Sequence, residues 1–196
     1  MPKYFDKQTL STLTQASKEI VAIRNRIARL TTVDILDTDA ISALFIYEIV
    51  SQYDPDHNIN FSRNDEDAKS NDILIEYKST RVQGPLTKTG RLRKGAGQDA
   101  SFQFHAMGDL DHSRYIFVAK DKDDLSIVRL YDISSSSNRK LVLDHLTGER
   151  DTWLERANQD KKLMKRDIIV LPEKFILDKL DLPHKLEING CVILKD

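Results

Sequence analysis

In Asp65-Glu66-Asp67-Ala68-Lys69-Ser70-Asn71-Asp72-Ile73-Leu74-Ile75-Glu76-Tyr77-Lys78, a row of acids leads through a polar turn into an apolar strand. That strand carries a carboxylate and an ammonium two residues apart. Lys69-Ser70-Asn71 is turn chemistry, so the segment reads as a hairpin. Residues i and i+2 of an extended chain share a face, so Glu76 and Lys78 point one way while Ile75 and Tyr77 point the other. An unpaired charge buried among Ile73, Leu74 and Ile75 would lose its hydration. A divalent cation held by the carboxylates would offset that loss and leave the lysine facing a water or a phosphate. The bland alternative is an ion pair on an edge strand facing water.

Strand geometry selects among the acids. If Asp67 pairs across the ladder with Glu76, the turn centres near Asn71, and directly opposed side chains lie about 5 Å apart. Asp72 stands four residues from Glu76 on the same strand, about 13 Å away and too far to share an ion. Asp65 has the parity of Asp67 and stays possible if the register shifts by two. Upstream, Asp37 or Thr38 can cap a helix through Ala40, Ile41, Leu44, Phe45, Ile49 and Val50 to about Tyr53. Glu48 interrupts its apolar centre, either facing solvent or reaching a metal site on the following sheet.

From Ser79 to Gln98 there is no acid, while Arg81, Lys88, Arg91, Arg93 and Lys94 fall inside. Four of the seven glycines lie there too, so the segment reads as a flexible basic arm suited to gripping phosphates, or else as a solvated loop. Asp99 starts an expected helix through Phe102, Phe104, His105 and Met107. His105 is a candidate DNA contact, a core-edge histidine or a solvent-facing residue.

Elsewhere, Lys7 to Leu30 reads as an amphipathic helix with Leu10, Leu13, Ile20, Ile23, Ile27 and Leu30 on one stripe. Its own core or a second copy of the chain would cover that stripe. Asn58 to Ser62 alternates as a strand. Tyr115 to Ala119 is a continuous apolar run, as expected of a strand buried mid-sheet, and Leu125 to Tyr131 alternates as its neighbour. The Ser134–Ser137 run reads as a short exposed connector. Glu149 to Lys165 reads as a helix, with Lys161, Lys162, Lys165 and Arg166 either complementing its C-terminal dipole or contacting phosphate. Ile168 to Leu171 is an expected strand, and Asn189-Gly190 marks a hairpin between Lys185–Ile188 and Cys191–Leu194.

The composition bounds the rest. A chain of 196 residues with 40% hydrophobic and 31% charged residues suits one soluble domain. Within it, residues 1–36 are an N-terminal helical segment available for dimerisation, 37–180 the core and 181–196 a C-terminal hairpin. No apolar run approaches the roughly 20 residues that span a bilayer, and no signal-peptide core is seen, so a cytoplasmic protein is expected. The single cysteine, Cys191, excludes an intrachain disulfide and a cysteine-clustered zinc site. A net charge of −1 means that any nucleic-acid contact must come from a local patch.

The order of these features resembles the PD-(D/E)XK nuclease superfamily, and within it type II restriction endonucleases of the PvuII group. Glu66-Asp67-Ala68 through Ile75-Glu76-Tyr77-Lys78-Ser79 resembles that group's Asn-Asp-Ala, turn, Glu-x-Lys-Ser hairpin, with about one residue fewer in the turn. More loosely, the likeness runs on through the His105 segment, the Tyr115–Val118 strand and Leu171-Pro172-Glu173-Lys174-Phe175. The family often has a proline before its first aspartate, where Glu66 stands here. The resemblance implies an α/β (α+β) fold with a central mixed sheet flanked by helices. It further implies Mg²⁺ on Asp67, Glu76 and the Tyr77 carbonyl, with Lys78 positioning or deprotonating the attacking water. The expected activity is sequence-specific cleavage of double-stranded DNA by a homodimer. A repair or recombination nuclease of the same superfamily (a MutH-like nickase or a junction resolvase) and a non-catalytic DNA-binding protein are the rival expectations.

Overall fold

Tyr115-Ile116-Phe117-Val118-Ala119 has no polar face to offer water, and the fold gives it none to meet: all five residues are at most 1% exposed. The structure, a computed structural model, describes residues 38–60, 67–82, 101–105, 113–121, 127–159 and 168–196, with positions 8, 12, 15, 19, 22, 23 and 26. The described elements are α1 (Thr38–Val50), β1 (His57–Ile59), β2 (Ala68–Ser70), β3 (Ile73–Val82), β4 (Ser101–His105), β5 (Arg114–Asp121), β6 (Ile127–Ile133), α2 (Ser136–Gln159), β7 (Ile168–Pro172), α3 (Glu173–Lys179), β8 (His184–Ile188) and β9 (Cys191–Lys195). The class is mixed α+β. No helix among the described residues is long and apolar enough to cross a membrane.

The chain divides into two units, residues 1–42 and 43–196. In the first, the described positions 8, 12, 15, 19, 22, 23 and 26 are helical and exposed. Thr12 Oγ1 donates to the Gln8 carbonyl at 3.0 Å, and Gln15 Nε2 to Glu19 Oε1 at 2.9 Å. Of the expected stripe only Ile23 is described, and it is 52% exposed.

The second unit is built on a seven-stranded sheet in the order β1-β2-β3-β5-β6-β9-β8, which sets β5 at its centre. β3 and β5 run parallel, as do β6 and β9, and the remaining neighbours are antiparallel. Strand alternation sorts the core into two layers. On one face Ile46, Ile49 and Val50 of α1 cover Ile75, Ile116, Val118, Leu130 and Ile193. On the other, Val142 and Leu146 of α2 and Ile176 of α3 join Phe102, Phe104, Ile169 and Leu171 over Tyr115, Phe117, Tyr131 and Ile133. Each such side chain, fully buried, contributes roughly 1.5–3 kcal/mol.

Two expectations are corrected. The segment around His105 is not a helix but the strand β4, paired with β7 in a separate two-stranded ribbon. Its alternation of buried Phe102 and Phe104 with exposed Gln103 and His105 is the period of a strand, and five residues are too few to show it against a helical spacing. The long helix begins at Ser136 rather than near Glu149. The serine run is its cap: the Ser135 carbonyl accepts from Arg139 N at 3.0 Å, and Ser135 Oγ from Asn138 N at 3.4 Å. The helix was hidden because its first buried position is a polar residue, Asn138, whose amide donates to the Asp181 carbonyl at 2.7 Å.

Candidate active site

The hairpin that carries the candidate residues closes on Asn71-Asp72, with Asn71 in the left-handed region at φ 52°. Its rungs are Ser70 to Ile73, Lys69 to Leu74 and Ala68 to Ile75. Extended by one residue, this register sets Asp67 opposite Glu76. Antiparallel rungs alternate between hydrogen-bonded and non-hydrogen-bonded pairs. The backbone amide of Tyr77 therefore falls where the ladder needs its next acceptor, and Asp67 Oδ2 supplies it at 2.8 Å.

Glu76 aligns with Tyr115 of β5 and Lys78 with Phe117, so both point into the face covered by α2, α3 and the ribbon. They form an ion pair, with side chains only 11% and 15% exposed. Lys78 Nζ also stands 5.2 Å from the centroid of the Phe104 ring, a cation–π contact that fixes the ammonium beside β4. A desolvated pair of this kind is held by geometry more than by net energy, because burial costs about what the attraction returns.

Tyr77 points to the opposite face, toward α1. Its hydroxyl is hydrogen-bonded to Nε2 of His57, which is 3% exposed, stacks on Tyr47 at a centroid distance of 6.2 Å and lies tilted against Tyr77 at 5.8 Å. Burial, and then the charge of Asp67, raise the Tyr77 pKa, so the phenol keeps its proton. Burial first, and Arg114 next, push the His57 pKa down to about 4, against the pull of Asp54 and Asp132. His57 is therefore neutral at ordinary pH.

Behind this pair lies a charged network. Arg114 donates to Asp132 through Nε at 2.7 Å and Nη2 at 2.6 Å, and to Asp54 through Nη1 at 2.5 Å. Tyr53 Oη donates to Asp132 at 2.9 Å, and Ser70 Oγ to Asp54 at 2.9 Å. Burial works to raise the Asp54 carboxyl, and the hydrogen bonds from Arg114 and Ser70 outweigh it and hold it below the ordinary value. A second network, Arg129 and Tyr131 on Glu173, is buried under α3.

The expected site residues fall in several places. Asp67, Glu76, Tyr77 and Lys78 are brought together on the β2–β3 hairpin. Glu48 is exposed on α1, the helix that covers the face opposite to Glu76 and Lys78, and does not join them. Arg81 continues β3 opposite Lys120. His105 ends β4 on the outer side of the ribbon, opposite exposed Ile168, with Gln103 two residues before it opposite exposed Val170. Asp65, Lys88, Arg91, Arg93 and Lys94 lie outside the described residues, as do Lys161, Lys162, Lys165 and Arg166.

Among the described residues no group of three or more His, Cys, Asp and Glu side chains could hold a metal ion. The two carboxylates at facing hairpin positions, Asp67 and Glu76, are the hard oxygen donors that suit Mg²⁺, which keeps several waters and takes substrate phosphate for the rest of its shell. A softer ion finds no thiolate: Cys191 is buried on the α1 face, and burial pushes its thiol up to about 12. Sequence reasoning missed His57, Asp54, Arg114, Asp132 and Glu173, none of which belongs to a spaced motif. No family model matches this chain, and neither a curated protein nor a solved structure matches it significantly.

Proposed function

We propose that this protein is a Mg²⁺-dependent, sequence-specific endonuclease of double-stranded DNA of the PD-(D/E)XK type, acting as a homodimer with one centre per strand. The observation that carries the reading is the shielded Glu76–Lys78 pair on one face of β3 with Asp67 at the facing hairpin position. Asp67, Glu76 and the Tyr77 carbonyl would hold the ion. When bound, Mg²⁺ supplies an acidified water and offsets charge on the scissile phosphate. Lys78, held as an ammonium between Glu76 and the Phe104 ring, would orient that water and the scissile phosphate. Arg81, Lys88, Arg91, Arg93 and Lys94 grip the backbone, while Gln103 and His105 face outward from a ribbon of a width that a major groove admits.

The test is incubation of the protein with phage DNA and Mg²⁺. Discrete fragments are expected, with Glu76→Ala and Lys78→Ala each slowing cleavage by at least about 10²-fold. Either variant cutting at the wild-type rate sinks the reading.

The ion pair between Glu76 and Lys78 favours one rival, a DNA-binding protein without catalysis in which the pair only shapes the hairpin. DNA affinity without Mn²⁺ binding or cleavage would select it. Nicking of mismatched or branched DNA, in place of discrete duplex cuts, would select a repair or recombination nuclease.

A further inference from the structure

We infer that His57 is a positioning residue for the candidate centre, acting through Tyr77 from the opposite side of the sheet. The inference rests on the nuclease reading and extends it to a residue that touches neither ion nor DNA.

Tyr77 is the residue between Glu76 and Lys78, so whatever fixes its peptide fixes the angle between their side chains. Two restraints outside the ordinary ladder act on it. Asp67 Oδ2 accepts from its amide at 2.8 Å, and His57 Nε2 is hydrogen-bonded to its hydroxyl. The anchor behind the second is firm. The His57 amide donates to the Asp54 carbonyl at 3.1 Å, and His57 pairs with Ser70, whose hydroxyl donates to Asp54 Oδ1 at 2.9 Å. Tyr47 of α1 closes the other side of the ring, 6.2 Å away and inclined by 27°.

A role in packing alone would suit an apolar ring better. As it stands, His57 Nδ1 is buried with no hydrogen-bond partner among the described residues. Such an orphan is a cost of roughly 1–3 kcal/mol. It is tolerated at a position whose other nitrogen is hydrogen-bonded to the Tyr77 hydroxyl. Groups that orient ion ligands from one bond further out commonly change metal affinity about 10- to 100-fold when removed.

The experiment measures Mn²⁺ binding to the full chain by electron paramagnetic resonance without DNA, and plasmid cleavage against Mg²⁺ and against DNA concentration. The proteins are wild type, Glu76→Ala, His57→Phe, His57→Gln and Tyr77→Phe. Expected are wild-type Mn²⁺ binding that Glu76→Ala abolishes, and affinity about tenfold weaker in His57→Phe and Tyr77→Phe. The half-saturating Mg²⁺ concentration should rise in both, with KM for DNA unchanged. His57→Gln, whose side-chain amide can either accept from or donate to the phenol, should recover most of the affinity. Tyr77→Phe removes a single oxygen and reads the same restraint if His57→Phe does not fold. Wild-type Mn²⁺ affinity in both His57→Phe and Tyr77→Phe overturns the inference and leaves the nuclease reading standing. Absence of Mn²⁺ binding and cleavage in the wild type removes the reading and the inference together.

Discussion

Asp67 accepts the backbone N–H of Tyr77 across the hairpin at 2.8 Å, so the side chain proposed as an ion ligand also closes the β2–β3 ladder. Substitutions can separate the two roles. Asp67→Asn keeps an acceptor oxygen and removes the charge, so stability stays near wild type while Mn²⁺ binding is lost. Asp67→Ala strands a partly buried amide and should lose about 1–3 kcal/mol in urea denaturation. Equal stability losses in the two variants would show that the charge, not the hydrogen bond, holds the hairpin.

Arg114 is shared by two acids, and its removal leaves both without their cation. Arg114→Met should destabilise the fold by about 3–5 kcal/mol, the usual result of breaking a buried pair from one side. Asp54→Asn leaves the two-point contact with Asp132 intact and should cost clearly less. The two denaturation midpoints, compared at neutral pH, check the order.

Asp196 gathers five hydrogen bonds around the start of α2, from the amides and hydroxyls of Ser134 and Ser135 and the side-chain amide of Asn138. Burial works to raise its carboxyl, and these donors outweigh it and hold the pKa below the ordinary 3.8. A depressed acid contributes stability above its unfolded pKa, and loses it as the pH falls through its folded value. Asp196→Asn should therefore be less stable than wild type by about 1 kcal/mol at neutral pH. That gap should hold down to about pH 4 and close only in stronger acid, which paired urea titrations across pH would reveal.

The β8–β9 turn requires Asn189 at φ 51° and Gly190 at φ 79°. A Cβ added at Gly190 meets nothing within 4 Å, so Gly190→Ala isolates the backbone strain of a left-handed position. The expected loss is about 1 kcal/mol, or roughly 2–4 °C in Tm for a chain of this size. A calorimetric scan showing no shift would mean that the turn relaxes to another type.

What could be read beforehand depended on how locally each feature was encoded. Tyr115–Ala119 announces a central strand because burial on both faces demands an unbroken apolar run, and Asn189-Gly190 announces a hairpin because few residues accept its dihedrals. Asp67, Glu76 and Lys78 come together in the sequence because a two-residue turn fixes the register around them. His57 and Tyr77, by contrast, meet only through the pairing of β1 with β2 and β2 with β3. Arg114 finds Asp54 and Asp132 at separations of 60 and 18 residues, which no local period records. The first half of α2 escaped notice because its inward stripe, Asn138, Val142 and Leu146, is thin and starts on an amide. Glu48 was legible as an oddity in an apolar helix, and its exposure gives that oddity a simple cause.

The position of β9 also governs when the fold can be completed. This late strand lies between β6 and β8, pairing in parallel with residues synthesised some sixty positions earlier. Until synthesis has passed Lys195, β6 is an edge whose open hydrogen-bonding groups flank Leu130 and Ile133, side chains that are fully buried once the sheet is complete. An unpaired apolar edge is a template for the wrong partner. Chains stalled or clipped before Cys191 should accordingly aggregate, because the apolar edge of β6 then stays open.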